Sequence, residues 1–331
     1  MKVLLVRVSS LGDVLHNMPV VADILRHFPH AQIDWVVEEA YVELVQLHPG
    51  VRRIIPFSLR RWRRGILSSH SRAATWKEMK AFKTALQAEQ YDVILDTQGL
   101  LKTGVIMGLA HGKLKVGLAN GTEGSGYEAL SRFFHDRSVP VNRRTHAVER
   151  GRIVAASALN YTDNSPPDFG LIAPELQPTW LPDRPYAVFF HGTARNSKKW
   201  AADQWITVGK HLNQCGYPVL LAWGNATEFE EAKLLAAQIS DAQVLPKLTM
   251  MEALVLAQRA ALAIGVDTGL THIAAAFYRP VIELYADSPR WKTEGNWSEN
   301  IINLGDQGKP PQCAEVIAAA DNLIRLTTLN T

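Results

Sequence analysis

Short apolar runs alternate with segments of helical periodicity along most of the chain. Continuous apolar runs rich in β-branched residues predict buried parallel strands, which in the first half lie at residues 2–8, 32–37, 51–57, 91–96 and 113–118. Apolar residues at helical spacing predict helices at 14–28, 38–48, 73–90, 99–110 and 146–159. Strands that alternate with helices indicate βαβ units and therefore a parallel sheet.

The same pattern restarts after an irregular segment in the middle of the chain. Residues 161–185 are rich in proline and acidic residues and have no clear period, which is typical of an interdomain linker. Beyond it, predicted strands lie at 186–191, 218–223, 242–246, 261–266 and 280–285. Predicted helices of this half lie at 201–214, 227–239, 249–259, 269–277 and 312–327.

These elements predict an α/β chain of two Rossmann-like, doubly wound domains that face a central cleft. The length of 331 residues agrees with this, because one hydrophobic core rarely grows beyond about 250–300 residues. We expect a first domain over 1–165, a linker over 166–185 and a second domain over 186–311. The last helix, within 312–331, is expected to pack back on the first domain.

Composition and cysteine content point to an ordinary globular protein. Apolar residues make up 47% of the chain and charged residues 20%. No apolar run is long enough to cross a bilayer, and Arg7 interrupts the N-terminal apolar stretch too early for a signal peptide, so we expect a cytoplasmic location. Cys215 and Cys313 are the only cysteines and predict neither a disulfide framework nor a zinc site.

Charge is unevenly distributed between the two halves. Residues 1–160 contain 22 Lys and Arg against 14 Asp and Glu, a net charge of +8, and the remainder contains 13 against 18, or −5. Between Glu43 and Glu78 there is no acidic residue, but there are seven arginines and one lysine. Such a patch predicts a polyanionic partner, which is a nucleic acid, an anionic membrane or a phosphorylated substrate.

The loop Ser9–Asp13 lies between the first predicted strand and the first predicted helix. Two interpretations of it stay open. In one, Ser10 or Asp13 simply caps the helix. In the other, the carboxylate of Asp13 projects into the cleft as a general base, suited to taking a proton from a sugar hydroxyl.

A second loop, His191–Trp200, follows the first strand of the second half and precedes a helix. Backbone amides and Thr193 suit a diphosphate there, and Lys198 would neutralise the charge of a leaving group. An exposed basic turn is the alternative interpretation. The loop has neither a Walker signature nor a GxGxxG motif, which argues against a P-loop or a dinucleotide site.

A third candidate lies where a predicted strand ends and a helix begins, over Gly265–His272. Asp267 or Thr268 would cap that helix, or the amides of Thr268 and Gly269 would hold a phosphate. In the second case Asp267 orients Lys198 or a hydroxyl. His272 lies on the first helical turn, where a structural role is the more common one for a single histidine.

The fourth candidate is the run that contains Arg60, Arg61, Arg63 and Arg64. Closely spaced guanidiniums repel each other unless anions neutralise them, and arginine binds carboxylate and phosphate groups in a bidentate way. An ordinary solvated charge run is the alternative. The interleaved Trp62 would stack on a sugar or enter a membrane interface.

The four candidate sites, in their order along the chain, resemble those of the lipopolysaccharide heptosyltransferases of glycosyltransferase family 9. The resemblance covers essentially the whole chain. The resemblance rests on residues 8–19, 35–41, 55–64, 94–103, 146–150, 191–200, 223–232, 245–249 and 266–276. The SxGD turn and the DTGLTH segment occur across that family. The RRWRR and DTQGL stretches resemble the members that add the first heptose.

The resemblance implies a GT-B fold and an inverting, metal-independent reaction without a cofactor. Heptose would pass from ADP-heptose to the inner Kdo of Kdo2-lipid A, with Asp13 as catalytic base and Lys198 assisting departure of ADP. The donor-binding residues that it implies are Thr193, Ala194, Lys198, Glu228, Leu248, Asp267, Thr268, Gly269 and His272. The acceptor-binding residues that it implies are Ser10, Arg60, Arg61, Arg63, Arg64 and Gln98.

The sequence also departs from the family pattern at several positions. Ala194 stands where a second threonine is usual, which removes one hydrogen bond to phosphate, and Leu248 stands where a methionine is usual. The turn Ala286–Pro289 replaces a Gly-Pro-Thr type of turn. The extra Lys199 is a candidate to replace Lys198 functionally.

The implied partners are the two substrates and the anionic surface of the inner membrane, contacted peripherally on its cytoplasmic side. Two other functions stay open: a heptosyltransferase that adds the second heptose, and a non-catalytic nucleotide-sugar-binding partner of an envelope-assembly complex. A nucleic-acid partner is not expected, because no nucleic-acid-binding motif accompanies the arginine run.

Overall fold

The computed structural model describes residues 1–193 and 195–329, with side chains as far as Leu326. The chain divides into two compact units, Met1–Ile172 and Ala173–Thr331. This division falls within the segment 166–185 for which the sequence predicts a linker. Each unit contains one six-stranded sheet in which all neighbouring strands are parallel.

The sheet of the first unit is doubly wound. Its strands are β1 Lys2–Val6, β2 Gln32–Glu38, β3 Val51–Phe57, β4 Tyr91–Asp96, β5 Gly112–Leu118 and β6 Arg137–Val139. They lie in the order β3-β2-β1-β4-β5-β6, so the strand order reverses between β1 and β4. In such sheets, ligands bind outside the carboxyl ends of the strands at this switch point.

The helices of the first unit pack apolar side chains on this sheet. They are α1 Leu11–Leu15, α2 Met18–His27, α3 Val42–Gln46, α4 Leu59–Leu67, α5 Arg72–Leu86, α6 Leu101–Leu109 and α7 Ala147–Leu159. The helix predicted at 14–28 is therefore two helices. Pro19 stands in the first turn of α2, and proline, which lacks a backbone N–H, starts a helix more readily than it continues one.

The arginine run forms α4, a helix that the apolar pattern did not predict. Trp62 of this helix is buried and packs edge-on against Phe57, with the ring centroids 5.3 Å apart, and against Phe82 at 5.4 Å. The expectation that Trp62 stacks on a sugar or enters a membrane is therefore wrong. Its indole fastens α4 to the core and leaves the arginines of that helix on the surface.

The sheet of the second unit repeats the topology of the first. Its strands are β7 Ala187–Phe190, β8 Val219–Leu221, β9 Ala242–Val244, β10 Leu262–Val266, β11 Val281–Tyr285 and β12 Ile301–Gly305. They lie in the order β12-β11-β10-β7-β8-β9, with the switch point between β10 and β7. The sequence pattern missed β12 here and β6 in the first unit, because neither forms a continuous apolar run.

The helices of the second unit are α8 Ala202–Gln214, α9 Ala226–Ala236, α10 Met250–Arg259, α11 Gly269–Ala276 and α12 Cys313–Leu329. Val316, Ala320 and Leu323 of α12 are buried in the core of this unit together with side chains of α8, β10 and β11. The buried face of α12 therefore packs on the second unit, and packing of this helix on the first unit stays a prediction. None of the described helices is long and apolar enough to cross a membrane.

Candidate active site

Asp13 lies on the first turn of α1, just beyond the carboxyl end of β1. The backbone N–H and the hydroxyl of Ser10 both donate to its Oδ2, at 3.1 and 3.0 Å, which forms a helix cap. The side chain of Asp13 is nevertheless 36% exposed. The carboxylate thus caps the helix and remains open to a substrate, so the two interpretations of the sequence are compatible.

Two buried arginines hold the other oxygen of this carboxylate. Nη2 of Arg7 lies 2.5 Å from Oδ1 of Asp13, and Nη2 of Arg150 lies 3.2 Å from it. Burial opposes ionisation of the carboxyl group, but the two guanidiniums outweigh it and keep the pKa of Asp13 below its usual range. Burial, together with the charge of Arg7, lowers the pKa of Arg150 to about 10. Asp13 is therefore a carboxylate throughout the neutral pH range.

Gln98 braces the loop that carries Asp13. Its Oε1 accepts from the backbone N–H of Val8 at 3.0 Å, and its Nε2 donates to Oγ of Ser9 at 3.4 Å. Asp96, which is fully buried, accepts from the N–H of Gln98 and of Gly99 and so shapes the loop after β4. Gln98 thus connects the loops at the switch point, and its contact with an acceptor stays a prediction.

A concavity of about 820 Å³ lies beside this loop and includes Ser9, Glu38, Tyr41 and Lys102 in its lining. Its lining also includes the four arginines of α4, Arg60, Arg61, Arg63 and Arg64. Arg61 is held by Glu39 at 2.8 Å and by Glu78 at 2.5 Å. Within the part of the chain that the structure describes, the other three arginines form no ion pair, so their guanidiniums are available to an anion.

Lys102 and Glu38 are residues of this concavity that the sequence did not single out. Nζ of Lys102 donates to Oγ of Ser9 at 2.9 Å. Burial lowers the pKa of Lys102 and raises the pKa of Glu38. The signal for Lys102 was its position in the DTQGLLKT stretch, where it follows a strand end by a few residues.

In the second unit, four charged side chains contact one another in a row. This row, the charge relay, consists of Lys198, Asp267, His272 and Glu283. Nζ of Lys198 lies 2.5 Å from Oδ2 of Asp267, and Oδ1 of Asp267 lies 3.0 Å from Nε2 of His272. Nδ1 of His272 lies 2.8 Å from Oε1 of Glu283. Positive and negative groups alternate along it, so each buried charge has an opposite neighbour.

The relay fixes the protonation state of its histidine. Burial favours the neutral imidazole, but the carboxylates of Glu283 and Asp267 outweigh it and raise the pKa of His272 to about 10. The cations His272 and Lys198, against the opposing effect of burial, keep the pKa of Asp267 below its usual range. His272 is therefore an imidazolium that holds Asp267, and Asp267 in turn holds Lys198.

Glu283 is the member of the relay that the sequence analysis missed. It lies in the middle of β11 and is fully buried, and Tyr285 and the backbone N–H of Gly295 donate to its Oε2 at 2.8 and 2.9 Å. An acidic residue inside the apolar run PVIELY was the available signal, because buried carboxylates need partners. Thr293, also missed, lies 3.3 Å from Oδ1 of Asp267.

The turn from β10 to α11 places the start of that helix beside the relay. A Cβ on Gly265 would lie 2.0 Å from Oγ1 of Thr271, which itself donates to the carbonyl oxygen of Val266 at 2.8 Å. Glycine therefore permits the close approach of helix to strand. Thr268 is the N-cap residue, and Gly269 begins α11, so their amides are at the positive end of the helix dipole.

The remaining predicted donor residues lie on neighbouring loops of the same unit. Glu228 is half-buried on the first turn of α9, accepts from the N–H of Gly224 at 2.7 Å, and lies so close to Gly192 that a Cβ there would be 2.6 Å from its Cδ. Thr193 and Leu248 are half-buried. Ala194 lies outside the described residues.

Two departures from the family pattern have structural outcomes. Nζ of Lys199 binds Oε1 of Glu231 on α9 and not Asp267, so the structure does not support Lys199 as a replacement for Lys198. In the unusual turn, the N–H of Gly308 donates to the carbonyl oxygen of Ala286 at 2.7 Å. The turn is thereby tied to the segment after β12.

Two doubly wound parallel sheets, one with an ionised carboxylate and one with a lysine beside a helix N-terminus at the switch point, are the features of a GT-B fold. The family model "Glycosyltransferase family 9 (heptosyltransferase)" matches residues 79–321, which is well over half of the chain. The chain belongs to glycosyltransferase family 9, the heptosyltransferase family.

Characterised relatives are similar over nearly the whole chain. Lipopolysaccharide heptosyltransferase 1 of Pseudomonas aeruginosa is 38% identical over 306 residues, which cover 92% of this chain and 84% of the relative. The enzyme of the same name from Escherichia coli K12 is 36% identical, over 93% of this chain and 97% of its own. The structure of E. coli heptosyltransferase WaaC with ADP has a TM-score of 0.84 and 32% identity, and covers 98% of this chain and 100% of that one.

The protonated state of His272 gives the first testable prediction. The pKa of His272 in the folded protein, about 10, exceeds its ordinary value of 6.5, so its stabilising contribution is complete below about pH 6.5 and is lost as the pH rises through about 10. His272→Gln should destabilise the second unit by about 3–5 kcal/mol near neutral pH, because it leaves buried carboxylates unpaired. Urea unfolding at several pH values measures both effects.

Glu283→Gln provides the matched control for that experiment. It keeps the size of the side chain but removes one anion, so the alkaline loss of stability should begin at a lower pH than in the wild type. The amide nitrogen cannot accept from both Tyr285 and Gly295, so this variant should also be less stable at every pH. If the difference between wild type and His272→Gln does not change between pH 7 and 10, His272 is not charged in the folded protein.

Proposed function

We propose that this chain transfers L-glycero-D-manno-heptose from ADP-heptose to the inner Kdo of Kdo2-lipid A, a step of lipopolysaccharide inner-core synthesis. The observation that carries the proposal is the 36–38% identity to relatives named lipopolysaccharide heptosyltransferase 1 over more than nine-tenths of the chain. A structure of WaaC with ADP-2-deoxy-2-fluoro heptose, 33% identical to this chain over 99% of its length, supports an ADP-sugar donor.

The donor would bind at the switch point of the second unit. The amides of Thr268 and Gly269 and the ammonium of Lys198 suit the two phosphates, because helix N-termini and cations bind anions. Asp267 keeps Lys198 in place, and its own charge is balanced by His272. Glu228, beside Gly192, is proposed to accept hydrogen bonds from the ribose, with Thr193 on the phosphates and Leu248 against the adenine.

The proposed reaction is a single displacement with inversion and without a metal. A hydroxyl oxygen of the acceptor forms a bond to the anomeric carbon, and the bond from that carbon to the phosphate oxygen breaks. The electron pair of the broken bond leaves with ADP, and the hydroxyl proton passes to Asp13. Lys198 and the start of α11 stabilise the negative charge that develops on ADP.

The low pKa of Asp13 suits this role in a specific way. A carboxylate of low pKa is a weak base toward a free alcohol, but the hydroxyl becomes acidic once its oxygen bonds to an oxocarbenium-like carbon. Asp13 therefore takes the proton late in the reaction. Arg7 and Arg150 fix its Oδ1, and Ser10 contacts Oδ2, the oxygen nearer the helix start.

The concavity beside α4 is the proposed acceptor site. Kdo2-lipid A carries carboxylates and phosphates, and the unpaired guanidiniums of Arg60, Arg63 and Arg64 suit such groups. Arg61 is assigned a structural part, since Glu39 and Glu78 already hold it. We further propose that this basic surface contacts the anionic inner membrane peripherally, on the cytoplasmic side where the lipid acceptor is presented.

The activity itself is tested by ADP release from ADP-heptose with two purified acceptors. Kdo2-lipid A should support turnover at least about tenfold faster than an acceptor that already bears the first heptose. Faster reaction with the heptosylated acceptor would assign this chain to the second transfer. Binding of ADP-heptose without ADP release on either acceptor would leave a non-catalytic binding protein.

Removal of the proposed base should separate chemistry from donor binding. Asp13→Asn should lower kcat by about 10²–10⁴-fold, the usual contribution of general base catalysis, while the Kd for ADP stays within about twofold. Ser10→Ala is the matched control for kcat, because it removes one hydrogen bond of the helix cap and keeps the carboxylate; a loss of acceptor binding through Ser10 would change KM instead. Equal losses of kcat in both variants would assign Asp13 to helix capping alone.

The arginines of α4 should act on the acceptor alone. The double variant Arg63→Ala/Arg64→Ala should raise KM for Kdo2-lipid A by about tenfold or more, and leave KM for ADP-heptose unchanged, because neither guanidinium forms an ion pair among the described residues and Arg64 donates to the carbonyl oxygen of Arg60 within the same helix. Lys80→Ala, which removes an exposed cation of the neighbouring α5, is the control and should change neither KM. Equal increases in both KM values would contradict the assignment.

The same double variant tests the membrane contact. Sedimentation with vesicles of anionic phospholipid that lack Kdo2-lipid A should fall relative to wild type, and salt should weaken binding of both proteins. No sedimentation of the wild type with these vesicles would confine the role of α4 to the acceptor.

A further inference from the structure

Three side chains with metal-binding atoms converge at the carboxyl-terminal end of α8: His211, Cys215 and Asp321. Nε2 of His211 lies 2.7 Å from Oδ1 of Asp321, and Sγ of Cys215 lies 3.7 Å from Nε2 of His211. One ligand atom from each residue lies within 4.8 Å of the other two. The cluster is partly open to solvent, since Cys215 is exposed and the other two are half-buried.

The fold brings these residues together from distant parts of the chain. His211 and Cys215 are four residues apart at the end of α8, which places them on one face. Asp321 lies on α12, 110 residues beyond His211, and α12 packs along α8. Arg325, one turn further along α12, donates to the backbone carbonyl of Asp321 and leaves the carboxylate to the cluster.

Although the spacing of the two cysteines predicts no zinc site, we propose that His211, Cys215 and Asp321 bind a divalent cation, with Zn²⁺ as the favoured ion and water as the fourth ligand. Imidazole, thiolate and carboxylate together match the nitrogen, sulfur and oxygen ligands of zinc. Bonds of about 2.0–2.3 Å to a tetrahedral ion place its ligand atoms about 3.3–3.6 Å apart. The separations of 2.7, 3.7 and at most 4.8 Å reach that spacing when side-chain rotations move the ligand atoms by about 0.5–1.5 Å.

The ion would fasten the last helix to the second unit. It replaces the hydrogen bond between His211 and Asp321 by two metal bonds and adds a third bond to Cys215, whose thiol releases its proton to the solvent on binding. Helix α8 has 13 residues, so the cluster lies about 20 Å from the end of α8 that follows Lys198. The proposed site is therefore structural and independent of the proposed heptosyl transfer.

Titration of the full-length, metal-free protein with Co²⁺ tests the site, because a cobalt–thiolate bond gives a charge-transfer absorption band in the near ultraviolet. The wild type should develop this band with one equivalent of Co²⁺ and lose it when Zn²⁺ is added. Cys215→Ser should abolish the band, and His211→Gln and Asp321→Asn should each weaken Zn²⁺ binding by about tenfold or more.

Cys313→Ser is the matched control, because it removes the only other thiol, which lies at the start of α12. This variant should bind Co²⁺ as the wild type does. Zn²⁺ should also raise the Tm of the wild type and of Cys313→Ser, but not of Cys215→Ser. Absence of the charge-transfer band in the wild type, or a band that persists in Cys215→Ser, would overturn the proposal and leave an ordinary His–Asp contact between two helices.

Discussion

The arrangement of the second unit depends on a single constraint, which is that no charge of the relay is buried without an opposite neighbour. Glu283 needs His272 as a cation, His272 needs two carboxylates to remain one, and Asp267 needs a cation on each side. Removal of any internal member leaves a buried charge uncompensated. Lys198 lies at the outer end of the relay. The position of its ammonium therefore depends, through Asp267 and His272, on the buried carboxylate of Glu283 and not on local loop contacts alone.

The first unit solves the complementary problem at its own switch point. Asp13, the proposed base, has to be ionised and held in place. Arg7 and Arg150 do both from the buried side, and Ser10 donates to the other oxygen. In both units the charged candidate residues thus lie at the point where the strand order reverses. They differ in which charge they present: a fixed anion in the first unit and a fixed cation in the second.

Periodicity predicted the two sheets and most helices, since buried parallel strands are continuous apolar runs. Periodicity did not predict elements in which polar residues accompany side chains that pack in the core. Helix α4 was hidden by its arginines, although Trp62 is a core residue, and β12 carries polar residues within a strand. The candidate site residues on turns after strands follow from local chemistry and family resemblance, and their roles stay predictions. Glu283 was missed because its role arises from a contact with His272 that no local pattern shows.

The fixed protonation states of Asp13 and His272 determine how the two candidate sites respond to pH. Asp13 stays ionised and His272 stays protonated across the whole neutral range, since the pKa of the first is depressed and that of the second is about 10. Neither centre therefore changes its protonation state with pH in this range. On the proposed function, acidity in this range acts instead through the phosphate groups of the lipid acceptor, whose own ionisation sets how strongly the guanidiniums of α4 attract them.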